Sequence, residues 1–315
     1  MASTHTLYKR FNDSIKLSEA RKGELRTSRD AIRGDITQWL TDNGKGQARF
    51  KHQGSFAMGT VVNPINNDEF DIDDGLYLKE YEDSDKSSWP SCSTVHNWVL
   101  SAVQDRTSTP PKDKNACVRI TYGHGYHVDV PVYIKLNEVG YYADKSKGWT
   151  ASDAEGFVDW LNDKSDIDKQ LKRIIRYLKR WKDYCDVPLK GIELTILCAN
   201  NYSSANNRDD DAVRYTVEAI LASLKASFEC RKPVASWEDL FENASDFKKR
   251  TIITKLEVLI DELVAAADAS DELTASEHLR TVFGDDFPKG DPPKNASAYV
   301  ATSAPAVLKH DGRSG

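Results

Sequence analysis

Leu7, Phe11 and Ile15 recur at four-residue spacing, and Leu25, Ile32, Ile36, Trp39 and Leu40 continue a helical period beyond them. The first forty residues therefore read as two amphipathic helices, the second stopped by Asn43-Gly44 and Gly46. The period then changes. Arg49 to Phe56 and Phe70 to Leu78 read as strands, with turn signals at Asn63-Pro64 and Asn66-Asn67 between them. Val95, Trp98, Val99 and Val103 mark a helix, and Pro110-Pro111 closes that region. Cys117 to Tyr122 and Tyr126 to Leu136 read as a hairpin turning at Gly123–Gly125. From Ser152 onward the pattern is helical, most clearly where Ile167, Leu171, Ile174, Ile175, Leu178 and Trp181 share one face. Further helices are expected at 190–203, 212–229, 236–243, 246–268 and 273–283. The chain thus divides into N-terminal helices with a mixed α/β core (1–150), a helical lobe (151–287) and a Pro-, Gly-, Ser- and Ala-rich tail (288–315).

At 315 residues, with 39% hydrophobic and 29% charged positions, the chain has room for a buried core in about two domains. Asp and Glu outnumber Lys and Arg by 49 to 43, a net charge of −6 that argues against stable binding of duplex nucleic acid. No apolar run approaches the ~18 residues of a membrane span. The stretch Leu256 to Ala267 is interrupted by Glu257, Asp261 and Glu262, and MASTHTLYKR has no signal-peptide core. A cytoplasmic protein is expected. The five cysteines, Cys92, Cys117, Cys185, Cys198 and Cys230, contain no CxxC and read as reduced, structural thiols.

The chemistry concentrates in Gln53-Gly54-Ser55-Phe56 and in Phe70-Asp71-Ile72-Asp73-Asp74-Gly75. Residues two apart on a strand share a face, so Asp71 and Asp73 present carboxylates side by side. Such a pair repels itself unless a cation lies between, and oxygen ligands suit a hard divalent ion such as Mg²⁺ or Mn²⁺. A calcium loop fails on spacing, because a glycine at position six puts Phe70 at position one. Asp129, between Val128 and Val130, is a third acid, expected on the face opposite those valines. Three carboxylates on neighbouring strands can hold two metals for in-line attack on phosphorus, and a Gly-Ser turn beside them can grip a triphosphate.

Gly-Ser, DxD and a later acid between apolar residues together resemble the signature of polymerase-β-like nucleotidyltransferases. The strings HQGSFAMGTVV, EFDIDDGLYL and YHVDVPVYI are similar to those of the bacterial cGAS/DncV-like nucleotidyltransferases of CBASS anti-phage systems. LYKRFNDSIKL, LKRIIRYLKRWKDY and VFGDDFP extend the likeness over most of the chain. The resemblance implies an α+β polymerase-β-like core with a mixed sheet, followed by a helical lobe, with the active site between. It implies a cyclic di- or trinucleotide synthase acting on NTPs, with two Mg²⁺ ions (Mn²⁺ as substitute) held by Asp71, Asp73 and Asp129. By the same resemblance Asp129 helps deprotonate the attacking hydroxyl, and Ser55, with Gln53, Gly54 and Phe56, holds the triphosphate. Lys179 contacts phosphates, and Arg119 and Thr195 contact nucleotide. The product reaches a downstream effector, and Gly315 is the point of conjugation to an E1/E2-like partner.

Residues 165–185 hold seven bases against three acids. Lys169, Arg173, Arg176 and Arg180 form one cationic stripe, with Lys172 and Lys179 beside it. It reads either as a solvated helix face or as a phosphate-facing wall opposite the carboxylates. His127 shares the face of Asp129 and reads as a hydrogen-bonding neighbour, and His124 with it makes only a weak zinc pair. Trp149, Phe157 and Trp160 read as core. The same triad also serves RNA-tailing and small-molecule- or protein-modifying nucleotidyltransferases, and a catalytically silent nucleotide- or partner-binding member remains open.

Overall fold

The computed structural model describes residues 3–65, 70–123, 125–165 and 168–293. Asn66-Asn67, His124, Ile167, Gly315 and the tail from 294 lie outside the described residues. The first half runs α1 (His5–Ile15), α2 (Glu19–Asp42), β1 (Ala48–Gln53), α3 (Gly54–Met58), β2 (Phe70–Leu78), α4 (Cys92–Val103), β3 (Lys112–Asp113) and β4 (Val118–Tyr122). There follow β5 (Tyr126–Val130), β6 (Val132–Leu136), β7 (Val139–Asp144), β8 (Gly148–Ala151), α5 (Ala154–Lys164) and α6 (Gln170–Tyr184). The last helices are α7 (Gly191–Asn201), α8 (Asp209–Ala226), α9 (Asp246–Asp268) and α10 (Glu272–Phe283).

The strands form one mixed sheet of order β3-β4-β5-β2-β6-β7-β8, with β1 paired to β2. β2 runs antiparallel to β1 and parallel to β5 and β6. Pro131, which has no N–H to donate, splits the long expected strand into β5 and β6. The register against β2 survives the break: Asp73 lies beside Asp129 and Leu76 beside Val132. The hairpin β7–β8 was not signalled by the sequence pattern.

Alternation along β2 sorts its two faces. Leu76 and Leu78, with Val128, Val130, Val132 and Ile134, pack against Ile32, Ile36 and Leu40 of α2 and Val95, Val99 and Val103 of α4. Asp74 is buried on that side, where the guanidinium of Arg33 donates to both its oxygens at 2.5 and 2.6 Å. Asp71 and Asp73 fall on the other face.

The second core gathers the helices of the C-terminal half. Its residues include Leu171, Ile174, Leu178, Trp181, Leu194, Val213, Leu256 and Phe283. Leu7, Tyr8, Phe11 and Ile15 of α1 belong to this core, not to that of the sheet. The Phe11 and Tyr177 rings stack at 5.4 Å, and Tyr8 meets Phe287 at 5.1 Å. The chain therefore crosses from one core to the other before Ser18, which opens α2 by accepting from Arg21 N. Gly290 is buried with its N–H on Ser276 Oγ at 2.8 Å, so the first residues of the expected tail are docked.

Two further expected elements differ. The strand from Arg49 stops at Gln53, because Gly54 takes φ +62° and the chain turns into α3. The helix expected at 236–243 does not form. There Cys230 N and Phe241 N donate to Asp239 Oδ1, Leu240 N to Cys230 O and Lys232 N to Glu238 O, folding the segment into an irregular turn, with Trp237 at φ +61°.

Candidate active site

Asp71 and Asp73 project from the face of β2 that looks toward the helical lobe. The parallel register sets Asp73 beside Asp129 and Asp71 beside His127, so the three carboxylates share one face of two adjacent strands. Burial, followed by the charges of Asp71 and Asp129, pushes the Asp73 carboxyl up to about 7. Asp129 is buried and holds the guanidinium of Arg119, which donates from Nε and Nη2 at 2.7 Å each. Arg119 lies directly opposite it on β4.

Gly54 and Ser55 enter this face from the end of β1, where Gln53 pairs in register with Asp73. The backbone at Gly54 lies against the Asp73 carboxylate: a Cβ there would stand 2.0 Å from Oδ2. Gln53 is buried, and its Oε1 accepts from Tyr133 Oη at 3.1 Å. The short helix closes when Thr60 N donates to Ser55 O at 2.9 Å, which brings Thr60 under α6.

A cavity of about 540 Å³ lies between sheet and helices. Its wall includes Gln53, Gly54, Ser55, Asp71, Asp73, Lys179 and Thr195. Lys179 is buried, and its Nζ donates to Thr60 O at 3.1 Å and Thr60 Oγ1 at 3.2 Å. Burial holds its ammonium down to about 8, partly offset by the charge of Asp71. Thr195 Oγ1 donates to Gly191 O at 2.8 Å, so this hydroxyl's proton is committed to its own helix. Asp129, Phe56 and Arg119 are not cavity-lining residues. Phe56 packs with Leu17, Leu25, Phe70, Ile72 and Tyr126.

The basic stripe of α6 does not form a phosphate wall. Arg173 is buried against Asp209, donating at 2.6 and 2.8 Å. Arg176 donates to Asn12 Oδ1 at 2.8 Å and to Gly59 O at 2.5 Å, and Arg180 donates to Asn63 O at 2.8 Å. These arginines tie α6 to α1, α8 and the loop after α3. Only Lys179 and Lys182 of that helix reach the cavity, beside Asp183. Phe157, expected as core, is buried there and also lines the cavity. Lys232, Val234 and Ala235 line it from the irregular turn, where the sequence carries no signal for them.

The donor set fits a hard divalent cation. All three groups are carboxylates, and a cation between them offsets both the burial and the mutual repulsion that raise Asp73. Among the described residues no three acidic, imidazole or thiol groups converge as a finished ligand set. Asp129 is engaged by Arg119 instead.

Residues 48–133 match the family described as "Cyclic GMP-AMP synthase DncV-like, nucleotidyltransferase domain". A c-di-GMP synthase of Roseivirga ehrenbergii is 25% identical over 264 residues, covering 72% of this chain and 66% of that protein. A CBASS oligonucleotide cyclase, CdnC, of Escherichia coli is 20% identical over 209 residues, covering 64% of this chain and 66% of its own. The chain thus spans about two thirds of the length of these curated relatives. Vibrio cholerae DncV, a cyclic AMP-GMP synthase, superimposes with TM-score 0.76 at 19% identity over 92% of this chain and 98% of that one. The same enzyme has been solved with the linear intermediate 5′ pppA(3′,5′)pG, at TM-score 0.76, 19% identity and coverage of 91% and 98%. The match to the family model is confined to residues 48–133, while the fold is shared with DncV along nearly the whole length of the chain. Among the described residues no helix is long and apolar enough to cross a membrane.

Proposed function

We propose that this protein is a metal-dependent nucleotidyltransferase that joins NTPs into a cyclic di- or trinucleotide signal for anti-phage defence. The observation that carries the reading is the placement of Asp71 and Asp73 on the cavity wall beside Gly54-Ser55, with Asp129 in register next to Asp73. The names of the relatives support the product class.

In this reading Asp71, Asp73 and Asp129 hold two Mg²⁺ ions, for which Mn²⁺ substitutes; when bound, these neutralise phosphate charge and acidify the attacking hydroxyl. Gly54 and Ser55 seat the donor triphosphate, and Lys179 supplies a fixed positive charge from the opposite wall. A ribose hydroxyl of one nucleotide attacks the α-phosphorus of another, and the bond to pyrophosphate breaks as the new phosphodiester forms. Asp129 helps take the hydroxyl proton. The linear product turns over, presents its remaining hydroxyl to its own triphosphate, releases a second pyrophosphate and closes; a trinucleotide inserts one more addition. Positioning and charge neutralisation carry the rate. Conjugation of Gly315 to an E1/E2-like partner belongs to the same reading, and deleting Gly315 abolishes it.

The test incubates the protein with all four NTPs and Mg²⁺ or Mn²⁺, removes terminal phosphates enzymatically and analyses the products by mass spectrometry. A phosphatase-resistant cyclic species, absent with Asp71→Ala, is expected. NTP binding without product in either metal overturns the synthase reading in favour of a nucleotide-binding protein.

A further inference from the structure

Arg119 is bound more tightly to the acidic cluster than a peripheral nucleotide contact requires. Alternation on β4 buries Val118 and Ile120 in the core of the sheet and sends Arg119 to the carboxylate face. There the register sets it against Asp129, and both guanidinium bonds are 2.7 Å long. Asp129 is buried, and its side chain is only 11% exposed beside an arginine at 21%. A planar guanidinium forked onto a carboxylate occupies both of its oxygens on one edge. Among the described residues no arginine or lysine forms an ion pair with Asp71 or Asp73, whereas Asp129 is paired with Arg119.

We infer that Arg119 is an internal counter-ion of the metal site: it holds Asp129 in the metal-free chain and competes with the divalent cation for that carboxylate. This rests on the reading of Asp71, Asp73 and Asp129 as the metal-holding set. Loading then requires exchange, in which Asp129 releases at least one N–H···O bond and offers that oxygen to the ion. Arg119 acts through Asp129 and is a positioning residue. It keeps the third acid in place and engaged until a cation arrives, and so sets the metal concentration at which the site assembles.

The experiment measures Mn²⁺ binding to the full-length protein, without nucleotide, from the paramagnetic resonance signal of free Mn²⁺. Thermal unfolding with and without Mn²⁺ is recorded in parallel. Arg119→Gln removes the competing charge and is expected to bind Mn²⁺ tighter by roughly three- to tenfold. Its metal-free Tm falls, because a buried carboxylate has lost its partner, and Mn²⁺ raises that Tm by more than it raises the wild type's. Arg119→Lys keeps the charge without the fork and is expected to lie between, which covers the case in which Arg119→Gln fails to fold. A folded Arg119→Gln whose Mn²⁺ affinity is unchanged or weaker overturns the proposal, while Asp71→Ala retains its loss of binding. If Asp71→Ala binds Mn²⁺ as the wild type does, the metal-site reading fails, and the inference about Arg119 fails with it.

Discussion

Replacing Gly54 by alanine tests whether the turn at the end of β1 seats Asp73, the carboxylate proposed to be catalytic. The new Cβ would stand 2.0 Å from Asp73 Oδ2 and 3.0 Å from Cγ, where ordinary contact begins near 3.4 Å. Asp73 must therefore retreat by about 1.4 Å, or the backbone of α3 must lift away from it. A displacement of ~1 Å in a catalytic group costs on the order of 100-fold in rate. The substitution also forces an L-residue to φ +62°, which costs about 1–2 kcal/mol of stability. Gly59 separates the two effects, since it has φ +68° and nothing within 4 Å of its would-be Cβ. Gly59→Ala should lose the stability that the positive φ alone costs, Gly54→Ala at least as much, and only Gly54→Ala should lose product, by about 100-fold in the mass-spectrometric assay. Equal activity in the two folded variants, to within about threefold, would refute the claim that Gly54 exists to let the backbone lie against Asp73.

Asp73 predicts a pH dependence of the metal-free protein. Its carboxyl is raised from 3.8 to about 7, so between those values the folded state holds a proton that the unfolded chain has lost, and stability falls as pH rises through that window. Asp73→Asn should flatten the fall in Tm between pH 5 and 8, and Mn²⁺ should reverse it in the wild type; a wild-type Tm that rises over this window contradicts the assignment. Lys179 is held down to about 8, so nucleotide affinity, measured by calorimetry with a non-hydrolysable NTP, should weaken as pH rises through that value. Lys179→Met should bind more weakly by roughly 10- to 100-fold and lose this pH dependence, since the titrating charge is gone. Arg173→Ala leaves Asp209 buried without its guanidinium and should destabilise the fold by about 3–5 kcal/mol in denaturant unfolding. At temperatures where it remains folded, its nucleotide affinity should match the wild type's.

The face of the sheet that carries the acids was legible because strand periodicity is local. Asp71 and Asp73 are two apart, and Val128 and Val130 bracket Asp129, so each strand declares which side its carboxylate takes without reference to the rest of the chain. The same rule excludes Asp74, whose partner Arg33 on α2 could not have been named from spacing. That β2 and β5 pair in parallel is written in no pattern of either strand. The Gly54 turn was legible as a glycine and not as a geometry: the strand expected to run through to Phe56 ends at Gln53 because φ +62° is outside any strand.

The cationic stripe of α6 shows why charge pattern alone misassigns a helix face. Lys169, Arg173, Arg176 and Arg180 repeat at spacings that place them together, as a phosphate wall would. Yet the helix packs into the second core on nearly every side, with Ile174, Ile175, Leu178 and Trp181 buried. An arginine emerging from such a helix meets protein before it meets solvent or substrate. Desolvation then makes a paired site the stable one, and Arg173 finds Asp209, thirty-six residues later, while Arg176 and Arg180 find the carbonyls of Gly59 and Asn63. Lys179 differs because it is one position off the stripe and reaches the opening between the lobes. It is held there by Thr60, and Thr60 is held by Ser55 O. The charge proposed to meet phosphate is thus fixed by the same short turn that is proposed to seat the triphosphate and that lies against Asp73. The coupling predicts that Thr60→Val, which removes the hydroxyl acceptor at 3.2 Å and leaves the carbonyl at 3.1 Å, weakens nucleotide binding by only about three- to tenfold. A loss as large as that of Lys179→Met would show that the hydroxyl, and not the burial of the ammonium beneath the turn, positions the charge.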